Sequence, residues 1–299
     1  MSSTLADVEN EYAKNKNLRK EDIRALREWA DKQPHLPKIS ELQYILFLQS
    51  CYFSIEMTKA TIDTFFTVKT LCPEFFANRD PTDAKFAEHL NVGAYIPLPK
   101  TTPEGYRVIF CKVMDSDASK YSFNEQIKNF DMSIMLWMMM EGTAEGLLIV
   151  MDMDGITFAH MTKLNVMGLK KFFLYLQEAM PVRLKGLHFI NVVPFMDKFM
   201  ALIKPFMKKE LLSVLHLHTD SLDSLHKYVP QDCLPSNFGG KAAPIVQLHE
   251  QVKTKLCQNA DFFKMDEKQL VDESKRMGKP KSANDIFGTE GSFKKLDID

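Results

Sequence analysis

Four short apolar runs constrain this chain more than anything else in it. RVIFCKV (107–113), LLIVM (147–151), LHFI (187–190) and VLHLH (214–218) are too short for helices, and helical periodicity fills the stretches between them. Their apolar character is continuous rather than alternating, so each strand is buried on both faces, as in a parallel or mixed sheet covered by helices. Between them, Phe123, Ile127, Phe130, Ile134 and Trp137 step by four and three along one helix face. Leu169, Phe172, Leu176 and Met180 do the same in the next helix.

Ahead of the first run the pattern is helical only. Ile23, Leu26 and Ala30 form an apolar stripe, which Pro34 and Pro37 interrupt by disfavouring helix in the residues before them. Ser40 and Gln43 have capping-box spacing, so a second helix starts there and runs through LQYILFLQ; a third runs from Ser54 to just before Pro73. The chain therefore divides into a small helical bundle over 1–76, an α/β domain over 77–250, and a C-terminal helix with a flexible tail over 251–299, frayed from about Lys279. The expected fold class is α/β: a mixed, mostly parallel sheet covered by helices and preceded by a helical bundle.

Composition and motifs exclude more than they assert. With 38 basic and 39 acidic residues, bulk charge gives no reason to expect a nucleic-acid partner. The N-terminal MSSTLADVENEYAK has no apolar core, and the longest apolar stretch, Ile134 to Met140, is far short of the roughly 18 residues a spanning helix needs, so a soluble protein is expected. Five cysteines without a CxxC pair suit a reducing cytosol, with no metal or cofactor. Phosphate-loop, GxGxxG, GxSxG and HExxH signatures are absent. His216 and His218 share one side of a strand and read as structural, and Asp152 and Asp154 before Gly155 read as turn chemistry. No catalysis is expected.

The most informative segment is PFMDKFMALIKPFM (194–207). Met196, Phe199, Ile203 and Phe206 make one face, yet Phe195, Met200, Leu202 and Met207 put apolar groups on the others, and residues 198–209 carry four lysines and no acid. A helix of this kind covers something apolar and can rest on an anionic bilayer. The 18 Met and 22 Phe, against 12 Gly, fit an adaptable apolar wall.

The ordered motifs resemble those of the CRAL-TRIO lipid-transfer domains. GLHFINVVPFMDKFMALIKPFMKKELLSVLHLHTDSLDSLHKYVPQDCLPSNFGG (186–240) is similar to that family's strand ending in Ile-Asn, lid helix, K-P-F-L, short strand and closing L-P-x-E-[YF]-G-G. IVMDMDGITFAHM resembles its strand, D-x-x-G turn and following helix, and LREWADKQPHLP with ILFLQSCYFSIEMTKATIDTF resembles the preceding helical domain. The resemblance implies a hydrophobic cavity closed by a mobile lid and a single lipophilic ligand of the vitamin E or retinoid class. It also implies peripheral contact with anionic membranes from the cytoplasm.

Carried onto this chain, the resemblance assigns ligand contact to Phe130, Ser133 and Trp137 of one helix and to Met151, Ile156 and Phe158 of the strand and turn. It extends to Leu164, Phe172, Tyr175, Leu176 and Met180, to Leu184 and Leu187, and to the lid residues Met196, Phe199, Ile203 and Met207. Ser133 is the expected polar anchor for a ligand hydroxyl. Arg183, Lys185, Lys208 and Lys209 are the expected phosphoinositide or membrane contacts. The pattern departs at Gln49 and Cys51, where arginines are usual, at Glu210 and Val214 in the same basic cluster, and at Asn237, where an acidic residue is usual. A carrier of phospholipid or carotenoid, and a lipid-sensing trafficking adaptor, are the alternative readings.

Overall fold

Five strands form one sheet among the residues that the computed structural model describes, 5–219 and 221–288. They are β1 (Gly93–Pro97), β2 (Tyr106–Val113), β3 (Gly146–Asp152), β4 (Leu184–Ile190) and β5 (Leu215–Leu217), in that spatial order. β1 is antiparallel to β2 and the other pairs are parallel. β2 to β5 coincide with the four apolar runs. β1 has no such signal: GAYIP contains a glycine and a proline, both poor strand formers, and Pro97 is accommodated because β1 is an edge strand.

The continuous apolar runs serve two cores. Ile109 and Cys111 of β2, with Leu147 and Ile149 of β3, enter the larger core, whereas Val108, Phe110, Leu148 and Val150 enter the other with Leu225, Val229, Ile245 and Leu248. Alternation along a strand sends neighbours to opposite faces, and both faces here are covered. The larger core runs without a break into the N-terminal helices Lys20–Asp31, Glu41–Ser50 and Ile55–Leu71 through Leu26, Phe47, Phe65 and Phe66. Ser40 and Gln43 form the reciprocal capping box that their spacing predicts.

The C-terminal segment departs from expectation. Residues 280–288, read as frayed, pack back on the N-terminal helices: Lys281 Nζ donates to Asp63 Oδ2 at 2.5 Å, and Ser282 caps a helix over Ala283–Phe287. Phe287 is 2% exposed, with the Lys171 ammonium 5.6 Å from its ring centre. Burial of one phenylalanine and several charge-assisted bonds hold the segment, partners too distant in sequence for local periodicity to show. The rest of the expected tail, 289–299, lies outside the described residues.

At the β4–β5 end, His188 stacks on His216 at 4.9 Å and lies 4.8 Å from the Tyr228 ring, and its Nδ1 meets His218 Nε2 at 3.0 Å. Burial, then repulsion from His216 and His218, pushes the His188 pKa down to about 3 from 6.5. Below pH 6.5 the unfolded chain takes a proton that the folded one refuses, so stability falls as pH falls through that window, by about 1.4 kcal/mol per pH unit from this residue. Urea unfolding of the wild type and of His188→Phe, which keeps an aromatic ring without the titrating nitrogens, is expected to show a flatter acid limb in the variant. Equal slopes would locate the acid sensitivity elsewhere.

Candidate functional site

A cavity of about 160 Å³ lies between the sheet and the helices of the larger core. The first half of the Phe123–Glu141 helix presents Phe123, Ile127 and Phe130 to it. Ile149 and Met151 of β3, and Leu187 and Phe189 of β4, form its floor, each pair two residues apart and so on one sheet face. The Val166–Leu174 helix and its π-helical continuation Tyr175–Ala179 supply Leu169, Phe172, Phe173 and Leu176. Phe130 packs edge-on against Tyr95 and Phe172, at 5.7 Å in both cases. The hydrocarbon part of such a wall favours apolar guests over water.

Phe195, which precedes the Met196–Ile203 helix, and Phe199 and Ile203 within it are spaced by four and form the remaining wall. The chain leaves β4 through Asn191, whose left-handed φ of 50° is one that asparagine tolerates, and Asn191 Nδ2 donates to Asp152 Oδ1 at 2.8 Å. Beyond the helix, Pro205 lies in a tight 3-10 turn over Lys204–Phe206. There Gln177 donates to the Phe206 carbonyl at 3.0 Å and accepts from the Lys208 backbone N–H at 2.7 Å. Both ends of this wall are thus tied by polar contacts, while its cavity face is held by apolar contact, including Phe199 against Phe189 at 6.1 Å.

One part of the lining is polar. Lys112, Tyr95, Tyr121, Gln126 and His160 face the same cavity. Lys112 Nζ is neutralised by Asp152 at 2.6 Å and Asp154 at 2.9 Å. Asp152 also accepts from the Asp154 backbone N–H, the turn chemistry its sequence position implies. Among the described residues no cluster of three or more His, Cys, Asp or Glu is arranged to hold a metal ion.

Of the ligand contacts that the resemblance assigns, Phe130, Met151, Ile156, Leu164, Phe172, Leu176, Leu187, Phe199 and Ile203 meet at this cavity. The others lie elsewhere. Ser133 and Trp137 are three and seven residues beyond Phe130, which at 1.5 Å per residue carries them about 5 and 10 Å along the helix axis. They line a separate pocket with Ile96 and Leu248, and the Ser133 hydroxyl donates to Asn129 Oδ1 at 3.4 Å. The Tyr175 hydroxyl donates a hydrogen bond to Asp131 in a buried ionic cluster. Met180 follows the π-turn, whose wider winding ends the three-four stripe after Leu176. Leu184 opens β4, about 10 Å from Leu187. Met196 and Met207 are buried in packing around the covering helix, at 4% and 8% exposure. Phe158 is 48% exposed and packs edge-on to Phe195 from outside, with Lys198 Nζ 5.5 Å from its ring centre.

The lining residues not foreseen are of two kinds. Phe123, Ile127 and Leu169 belong to helix stripes visible in the sequence, but a stripe does not reveal which of its residues reach the cavity. Tyr95, Lys112, Tyr121 and His160 are brought in by β1, an edge of β2 and two turns, none of which has a periodic signal.

The basic residues are distributed unevenly. Arg183 is sandwiched at 4.2 Å over Tyr52 and 5.7 Å over Phe53, pairs with Glu145 at 3.4 Å, and has a side chain only 8% exposed. Lys185 Nζ donates to the Tyr52 hydroxyl at 3.0 Å. Gln49 is buried and donates to the Ala144 carbonyl at 2.7 Å, and Cys51 contacts Thr61. Lys208 pairs with Glu178 at 2.9 Å, and Lys198, Lys204 and Lys209 are exposed. Asn237 keeps a structural contact, its Oδ1 accepting the Ile245 backbone N–H at 2.8 Å.

Among the described residues no helix is long and apolar enough to cross a membrane. The alpha-tocopherol transfer protein-like protein of Mus musculus is 27% identical over 244 residues, covering 81% of this chain and 71% of its own. Clavesin-1 of Xenopus laevis is 25% identical over 237 residues, covering 78% of this chain and 71% of its own. The crystal structure of Sfh5 aligns with a TM-score of 0.49 at 13% identity, over 77% of this chain and 92% of that one. Residues 15–86 match the Pinta-like UBA domain, and residues 91–240, half of the chain, match the CRAL/TRIO domain. The sheet, the covering helix and the cavity between them all lie on that second match, and the chain belongs to the CRAL/TRIO domain family of lipid-binding and lipid-transfer proteins.

Proposed function

We propose that this protein is a non-catalytic carrier that holds one small lipophilic molecule, tocopherol-like or retinoid-like, and passes it between membranes. The observation that carries this reading is the largely apolar, aromatic-rich cavity walled by a helix whose cavity face makes apolar contacts and whose flanking segments are tied by Asn191 and Gln177. In this reading the helix is a lid that swings on its tied flanks as the apolar contacts of its cavity face break. Burying one methylene is worth about 0.8 kcal/mol, so a ligand with about 20 buried carbons, larger than the closed cavity and admitted only as the lid moves outward, gains roughly 16 kcal/mol on leaving water. Release into water is then negligibly slow. Opening against a bilayer moves the ligand from one apolar phase to another and avoids that cost.

In this reading the exposed Lys204 and Lys209, with Lys208 beside them, draw the lid to an anionic surface, while Arg183, ion-paired with Glu145 and 8% exposed, holds Tyr52 in place rather than meeting the membrane. Each lysine near such a surface contributes about 1 kcal/mol. Co-sedimentation is expected to show tighter binding to phosphatidylcholine vesicles that contain phosphatidylserine than to those without it. Lys204→Glu with Lys209→Glu is expected to weaken that binding by roughly tenfold or more. Equal binding of wild type and variant to both vesicle types would remove the membrane role of this face.

A further inference from the structure

The cavity wall holds a buried hydrogen-bond donor that nothing among the described residues satisfies. His160 is 3% exposed and lines the cavity from the Phe158–Met161 turn of helix. Its Nδ1 accepts the Thr157 backbone N–H at 3.1 Å and lies 2.9 Å from the Thr157 hydroxyl. A ring nitrogen that accepts from a backbone N–H carries no proton, so in the neutral imidazole the proton is on Nε2. Burial lowers the His160 pKa and keeps the ring in that neutral form. Nε2 is fully buried and has no hydrogen-bond partner among the described residues. A buried donor left unpaired is costly, and buried polar groups are normally paired.

The surroundings determine what kind of acceptor fits. Tyr121, whose ring meets His160 edge-on at 5.3 Å, lines the same cavity. Lys112 is the sole cationic side chain in the lining, and Asp152 and Asp154 together outweigh its charge. Asp115 and Asp117 add negative potential at His160, offset in part by Lys120, which pairs with Asp115 at 2.7 Å. An anionic head group would meet the negative potential of carboxylates that stand behind the lining. A neutral oxygen acceptor meets a donor that lacks one.

We propose that the Nε2–H of His160 anchors the polar end of the ligand, and that the ligand class is a neutral lipophile with one hydrogen-bond acceptor, such as an alcohol, carbonyl or ester, rather than a carboxylate or phosphate. This assignment rests on the carrier reading and specifies its ligand. It places the anchor about one helix turn past the β3 turn, instead of at Ser133.

Four probes of equal chain length test it: dodecane, 1-dodecanol, methyl laurate and laurate, each displacing Nile red from the full chain. The alcohol and ester are expected to displace at roughly tenfold lower concentration than the alkane, the yield of one buried hydrogen bond, and laurate no better than the alkane. His160→Phe is expected to bring alcohol and ester to the level of dodecane while dodecane itself is unaffected. A readout that needs no variant is the His160 Nε2–H resonance, which shifts on saturation with 1-dodecanol and stays in place with dodecane. If dodecane and 1-dodecanol are equivalent in the wild type, or laurate is the strongest of the four, the head-group assignment is overturned and the carrier reading stands. If none of the four, dodecane included, displaces the dye, the carrier reading fails and this assignment with it.

Discussion

Replacing Arg79 with Met is expected to lower the unfolding free energy by about 3–5 kcal/mol, the cost of leaving buried charge without its partner. Arg79 is 1% exposed and is held between Asp131 of the Phe123–Glu141 helix and Asp266, which it meets at 2.6 Å. Lys69 completes a neutral set of two cations and two carboxylates, 2.8 Å from Asp266. Burial would raise the Asp266 pKa, yet Lys69 and Arg79 together hold it below the ordinary carboxylate range. Without Arg79 the cluster either keeps a net negative charge out of reach of water or must protonate Asp131, whose pKa burial already raises. The melting temperature is expected to fall by roughly 10 °C for a chain of this size. Arg79→Lys, which keeps the charge but loses the forked geometry, is expected to lose less. A melting temperature for Arg79→Met within a degree of the wild type would show that the cluster does not hold the fold. Because Asp131 follows Phe130 and accepts from Tyr175 on the π-helical wall, loosening this cluster is also expected to weaken ligand retention.

The second large effect is at the covering helix. Phe199→Asp with Ile203→Asp puts two carboxylates on the face that closes the cavity, where Ile203 is 1% exposed. A carboxylate is not kept in such a site, so the helix is expected to turn its cavity face to water. Retention of a bound lipophile and its transfer between vesicles are expected to fall at least tenfold, with far-UV circular dichroism and the N-terminal aromatic core around Phe47, Phe65 and Phe66 unchanged. Phe199→Leu with Ile203→Leu is expected to preserve both activities, because volume-conserving apolar exchanges are tolerated. Unchanged retention and transfer in the Asp variant would remove the lid role from this helix.

How far the sequence reveals this protein depends on whether the signal is periodic. β2 to β5 are legible because burial on both faces makes them continuous apolar runs, and the Phe123–Glu141 helix because its stripe repeats by four and three. The depth of a residue along that stripe is not encoded: Phe130 reaches the cavity, while Ser133, one turn on, faces another pocket. The π-turn at Tyr175–Ala179 shifts the next stripe by an amount that spacing does not announce. Long-range polar partners are invisible for a related reason. Nothing near Lys281 in the chain points to Asp63, and nothing near Tyr175 points to Asp131. His160 becomes a candidate anchor only when the fold shows that one of its nitrogens is occupied and the other is not.

The most direct measurement is native mass spectrometry of the purified full chain, followed by organic extraction, with tocopherol and retinaldehyde offered as competitors. The account predicts one lipophile per chain, displaced by at least one of the two. A protein that is empty as purified and takes up neither would contradict the carrier claim and favour the reading of a lipid-sensing adaptor.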